Sequence, residues 1–86
     1  IFVEIALERH EAATHAAFED KMKAAPEVSQ CYNTSGQTDY MVVMNVAGVP
    51  EYHDAATRLF SADPHIRTFR STICIKRVKF STRLAL

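Results

Sequence analysis

Glycine occurs only twice in these 86 residues, so no glycine-rich loop of the kind that cradles phosphate groups can be assembled. Cysteine is equally scarce. Cys31 and Cys74 are too few for a disulfide framework and are expected as reduced, packed thiols. No Cys-x-x-Cys or His-x-x-x-His pair occurs, and His10, His15, His53 and His65 are scattered, so no metal is expected. Charge of one sign is also missing. Ten Lys and Arg offset ten Asp and Glu, which excludes a domain that grips a phosphate backbone by itself. No apolar run approaches the length of a membrane span and the start has no signal-peptide pattern, so a cytoplasmic domain without membrane contact is expected. The length allows one domain, residues 1–86, with a modest core that a partner chain would help to stabilise. The first residue is Ile1 rather than Met, as in a piece of a longer chain.

What is present is patterned. Ile1, Val3, Ile5 and Leu7 alternate with Phe2, Glu4 and Ala6, a period of two that reads as a strand. From Glu11 to Ala25 the period lengthens, with Thr14, Ala17, Phe18, Met22 and Ala25 on one helical face. Alanine favours this helix, Lys21 and Lys23 near its end suit its dipole, and Pro26 stops it. A polar extended segment at Val28–Ser35 leads into a turn around Gly36-Gln37-Thr38. Tyr40–Val46 then reads as a strand apolar on both faces. Pro50 suits the first position of a second helix, whose inner face is Tyr52, Ala55, Ala56, Leu59 and Phe60. Asp63-Pro64 ends it, and Ile66–Lys79 reads as a long extended segment. Phe80–Leu86 would add a short strand or clasp.

The order is therefore β-α-β-β-α-β, and the two halves echo one another. Pro26 is followed by Val28 after the first helix, and Pro64 by Ile66 after the second. The expected fold is an α+β, ferredoxin-like βαββαβ sandwich: a four-stranded antiparallel sheet in order 4-1-3-2 with two helices on one face. Two helices cover only one sheet face, whereas Met41 and Val43 make the other face of the Tyr40–Val46 strand apolar as well. A second copy packed sheet to sheet would cover it, so an obligate oligomer is expected.

Catalytic constellations are poor. Cys31 and Cys74 are expected on opposite edge strands, with no histidine placed beside either, and Glu19, Asp20 and Glu27 read as solvated. The informative stretch is Ser35-Gly36-Gln37-Thr38-Asp39-Tyr40. In its plainest reading Gly36 supplies a positive φ and the stretch is a hairpin connection. In its functional reading the free N–H groups of the turn hold an anion and Asp39 accepts from a cation, a minimal receptor for the carboxylate and ammonium of a free amino acid. Arg67 and Arg70 could meet a ligand carboxylate, although exposed residues at a strand end are the plainer reading; Lys76, Arg77 and Lys79 read as solvent-facing.

The run Pro26-Glu27-Val28-x-x-Cys31-Tyr32, then Gly36-x-x-Asp39-Tyr40, then Val78-Lys79 resembles the C-terminal effector domain of the Lrp/AsnC family of transcriptional regulators, from Phe2 to about Leu86. The resemblance implies a RAM-type ligand-binding and oligomerisation domain. It also implies a homodimer through the sheet that assembles to an octamer, with a free amino acid bound between dimers. By position it implies an effector loop of Gly36, Gln37, Thr38, Asp39 and Tyr40, with Ser71 and Thr72 facing the ligand and Ile73 and Cys74 behind them. No enzyme activity and no cofactor are implied. Family members carry an N-terminal helix-turn-helix domain, which this chain lacks, so DNA contact is expected only through such a domain. The chain is then a fragment, or a stand-alone domain that joins full-length regulators. Two rivals remain. One is a small dimeric α/β-barrel enzyme of the cofactor-independent oxygenase type, which needs a polar cleft between sheet and helices. The other is a dimerisation module without a ligand.

Overall fold

The period-two alternation at the start of the chain folds as strand β1 (Phe2–Leu7), and the helical pattern that follows folds as α1 (Ala12–Ala24). These elements come from a computed structural model that describes residues 1–82. Strands β2 (Val28–Asn33) and β3 (Tyr40–Met44) form a hairpin. Helix α2 (Val49–Ala56) continues into a π-helical turn at Thr57–Ser61, where the Ala62 N–H bonds to the Thr57 carbonyl at 3.0 Å. Strand β4 (Ile66–Thr72) closes the order β-α-β-β-α-β. The sheet runs β2-β3-β1-β4 with every pair antiparallel, the ferredoxin-like arrangement expected from the sequence.

Proline punctuates the exit of α1 and the entry of α2 as anticipated. Ala25, before Pro26, is extended, because the proline ring clashes with a helical conformation in the preceding residue. Pro50 occupies the first turn of α2, where its missing N–H has no intrahelical partner to lose.

Both helices pack on one sheet face. Val3, Ile5, Leu7, Tyr40, Val42 and Met44 project from the sheet against Phe18 and Met22 of α1. Ala55, Ala56, Leu59 and Phe60 complete this core from α2 and the turn that follows it. Burying one side chain of the size of Phe60 contributes about 2–3 kcal/mol. Two ion pairs, Lys21–Asp63 and Arg58–Glu27, tie the C-terminal ends of the helical segments to one another and to the turn before β2. Lys21 also donates to the Leu59 carbonyl at 2.6 Å.

The register sets Phe2, Glu4, Ala6, Gln30, Tyr32, Met41, Val43, Thr68, Arg70 and Thr72 on the opposite face, which carries no helix. That face is apolar at one end, around Phe2 and Val43, and polar at the other, around Glu4, Thr68 and Arg70.

Several boundaries and faces differ from expectation. The β3 strand stops at Met44 and β4 at Thr72, well short of Val46 and Lys79. Thr72 pairs with Phe2, the first residue of β1, so the ladder has no partner for Ile73, Cys74 or Ile75, although both isoleucines are β-branched. Residues 73–82 form no strand, and Ile73, Ile75, Val78 and Phe80 are exposed. Cys74 is thus exposed beyond β4 rather than on an edge strand, whereas Cys31 does lie on edge strand β2. On α1, Thr14 is half-buried and Ala17 exposed, so the inner face is narrower than the periodicity implied. The expected clasp falls partly on residues 83–86, outside the described residues.

Candidate functional site

The connection between β2 and β3 is closed from several directions. Gly36 has a φ of +112°, which only glycine adopts without strain, and it turns the chain at the tip. The Thr34 N–H and the Asn33 side-chain amide both donate to the Asp39 carbonyl at 2.9 Å, and the Thr34 hydroxyl donates to the Thr38 carbonyl at 3.1 Å. Asp39 then fastens the loop to β1. Its N–H donates to the Ile5 carbonyl at 2.8 Å, and its Oδ2 accepts the Leu7 N–H at 2.7 Å. Its Oδ1 lies 3.3 Å from Nδ1 of His10. The carboxylate that the sequence offered as a cation acceptor therefore serves first as the anchor of the loop.

Tyr40 points the other way. Its ring is buried against Phe18, with centroids 4.6 Å apart, and its hydroxyl donates to Oε2 of Glu19 and lies 2.9 Å from Nδ1 of His15. Burial, then the hydrogen bond and charge of Glu19, hold this phenol well above its ordinary pKa. Tyr40 also lines a groove of about 400 Å³ between α1 and β2, together with Glu19, Lys23 and Cys31. Burial, reinforced by the Glu19 charge, likewise raises the pKa of the Cys31 thiol and makes it a poorer nucleophile.

Gln37 and Thr38 open onto a different space. They share a recess of about 540 Å³ at the polar end of the helix-free sheet face with Glu4, Ala6, Arg67, Thr68, Phe69 and Arg70. Arg70 donates twice to Oε2 of Glu4, at 3.0 and 2.6 Å. Arg67 carries the remaining positive charge, and no ion pair involves it among the described residues.

The seven residues singled out from the sequence are thus only partly assembled. Gly36, Gln37, Thr38 and Asp39 form one loop, with Gln37 and Thr38 facing the recess, while Tyr40 faces α1. Ser71 lies opposite Val3, toward the far end of β1, and its hydroxyl bonds to that of Tyr52 on the helix-covered side. Thr72, opposite Phe2, is further still from the loop, on the other sheet face. Within one chain these two hydroxyl residues do not meet Gln37 and Thr38.

Glu4 was missed as a site residue. Its signal was a lone carboxylate between Phe2 and Ala6 on the side of β1 away from the core. From the sequence Arg67 and Arg70 read as exposed residues at a strand end, and only the fold brings them beside Gln37 and Thr38.

A βαββαβ sheet with one helix-free face, and a hairpin loop anchored at the rim of that face, defines a ferredoxin-like α+β domain. The sequence model of the Lrp/AsnC ligand binding domain matches residues 1–84, and the chain belongs to that family. It is 27% identical to an uncharacterized HTH-type transcriptional regulator from Haemophilus influenzae, over 100% of this chain and 51% of that protein. It is also similar to the crystal structure of an AsnC family transcriptional regulator from Agrobacterium tumefaciens. The TM-score is 0.84 at 26% identity, covering 98% of this chain and 54% of that one. A transcriptional regulator from Neisseria meningitidis, solved in complex with L-Met, shares the fold with a TM-score of 0.87 at 19% identity, over 98% of this chain and 54% of that one. The chain spans about half the length of the curated relatives it matches. Among the described residues, no helix is long and apolar enough to cross a membrane.

Proposed function

We propose that this domain binds a free amino acid as the effector of a cytoplasmic Lrp/AsnC-type transcriptional regulator and holds the regulator's subunits together. The observation that carries the reading is the loop Gly36–Asp39, anchored to β1 through Asp39 so that Gln37 and Thr38 edge a polar recess. A loop fixed at both ends offers its polar groups to a ligand at little cost in ordering. The second copy takes the helix-free sheet face, where Phe2 and Tyr32 are exposed and Met41 and Val43 half-buried. Dimers formed this way assemble further, to an octamer, bringing Ser71 and Thr72 of one chain toward the loop of another. DNA is held by a helix-turn-helix domain outside this chain. The mechanism is linkage: an amino acid bound between dimers favours one assembly over another and so changes the spacing of the DNA-binding domains.

The reading is non-catalytic and needs no cofactor. An α/β-barrel enzyme would keep its reactive cleft between sheet and helices; here buried Phe18, Met22, Leu59 and Phe60 fill the middle of that space, and the groove left between α1 and β2 offers a Cys31 thiol that burial makes a poor nucleophile. The test is a thermal-shift screen of the chain against the twenty L-amino acids at millimolar concentration, with light scattering alongside. A ligand at about one hundred times its Kd adds about 2.7 kcal/mol, which raises the Tm of a domain this size by about 10 °C or more. A monomer in solution that no amino acid stabilises would overturn the reading.

A further inference from the structure

We infer that residues 73–80 are an arm that closes over a second copy of this chain and clamps it against the apolar end of the helix-free sheet face. The inference rests on the proposed assembly and names the segment that secures it. Beyond Thr72 the described chain joins no strand. Val78 and Phe80 are 87% and 70% exposed, yet with Lys76 they share a space of about 820 Å³ with Phe2, Gln30 and Val43. The arm thus lies near the sheet without packing on it. Folded chains close-pack their apolar side chains, so a gap of this size bordered by exposed Val78, Phe80 and Phe2 is a place for atoms of another molecule.

Two observations point to a second copy as the occupant. The first is continuity: Phe2, Gln30 and Val43 belong by register to the sheet face that the second copy covers, so a copy seated there enters the gap. The second is charge. Residues 1–72 carry six Lys and Arg against ten Asp and Glu, whereas residues 73–82 carry Lys76, Arg77 and Lys79 and no acid. A basic arm on an acidic body suits a partner with the same acidic body. The Arg77 guanidinium also lies 4.9 Å from the centre of the Phe80 ring, a cation–π contact that steadies the ring. In a two-fold dimer each chain gives one arm and receives one, so every arm contact is made twice.

The experiment measures the dimer Kd by sedimentation equilibrium for the wild-type chain, Val78→Ser, Phe80→Ser, Lys76→Glu, Phe2→Ser and Val49→Ser, with Tm followed across a range of protein concentration. Val49 is an exposed apolar residue of α2 outside the gap and serves as the control. Val78→Ser and Phe80→Ser are each expected to raise the Kd by about tenfold or more, because an apolar side chain buried only in the dimer is lost from both arms. Lys76→Glu should raise it more at low salt than at high salt. Val49→Ser should leave it unchanged. Val78 and Phe80 are exposed within one chain, so their variants keep the monomer fold even if Phe2→Ser perturbs β1. If Phe2→Ser weakens the dimer but Val78→Ser and Phe80→Ser stay within about twofold of the wild type, the arm is overturned and the sheet-face dimer stands. A Tm lowered equally at every concentration in Phe80→Ser would place the arm on its own sheet and overturn it as well. If the wild-type chain is a monomer throughout, the proposed assembly fails and this assignment falls with it.

Discussion

Replacing Asp39 with alanine removes the one side-chain acceptor that the structure provides for the Leu7 N–H. Leu7 is 2% exposed, so water has poor access to the freed donor. Loss of a hydrogen bond to a charged acceptor, with its partner left unsatisfied, costs about 2 kcal/mol. The contact of Asp39 with His10 adds little, because the His10 side chain is 68% exposed. At about 2.1 cal/mol/K of unfolding entropy per residue, a domain of this length loses about 10 °C of Tm for that 2 kcal/mol. Asp39→Asn separates the acceptor from the charge. Its side-chain oxygen still accepts from Leu7, and the expected loss is about half as large. Thermal denaturation followed by circular dichroism at neutral pH compares the three proteins, and hydrogen exchange at Leu7 reports on the bond itself. An alanine variant melting within about 2 °C of the wild type would show that the anchor contributes nothing. Equal losses in both variants would show that charge, not acceptor geometry, was the source.

Other consequences concern groups away from that anchor. Burial pushes the Asp63 carboxyl upward, but Lys21 and the His65 N–H outweigh it and leave the pKa below its ordinary value. A pKa lowered by folding means that this contribution is fully present above the unfolded value, near 3.9, and is lost as pH falls through the folded value. Acid titration of Tm should therefore show a steeper decline below about pH 4 in the wild type than in Asp63→Asn; parallel curves would refute it. The thiols should react at different rates with a disulfide reagent at mildly alkaline pH, exposed Cys74 first and half-buried Cys31 slowly, since burial and Glu19 disfavour the Cys31 thiolate. Equal rates in Cys31→Ser and Cys74→Ser would contradict that environment. Gly36→Ala meets no atom within 4 Å of the added Cβ, so its whole cost is backbone strain at φ +112°, about 1–2 kcal/mol of stability by chemical denaturation. An unchanged midpoint would mean that the loop relaxes to another conformation.

Much of the fold was legible because period and punctuation are local signals. Alternation over Ile1–Leu7 reported a strand with one buried side, and the spacing of Ala55, Ala56, Leu59 and Phe60 reported which side of the second helix faces inward. Pro26 and Pro64 marked both helix exits through clashes with their immediate neighbours. Family membership was legible in the same way, from short runs such as Gly36-x-x-Asp39-Tyr40.

Partners distant along the chain were not legible. Glu4 and Arg70 are 66 residues apart, and only the antiparallel register of β1 with β4 sets them opposite one another. The end of β4 depended on where β1 begins, since a residue of high β propensity forms no ladder without a neighbouring strand. Asp39 and Tyr40 are adjacent in a single motif, yet successive residues of extended chain point to opposite sides, so one anchors the loop on β1 and the other reaches Glu19 on α1. By itself the sequence determined the elements, their order and their inward faces, because those follow from interactions within a few residues. Tertiary structure alone decided which polar groups are occupied and which remain open to a ligand, because a hydrogen bond is assigned by proximity in space.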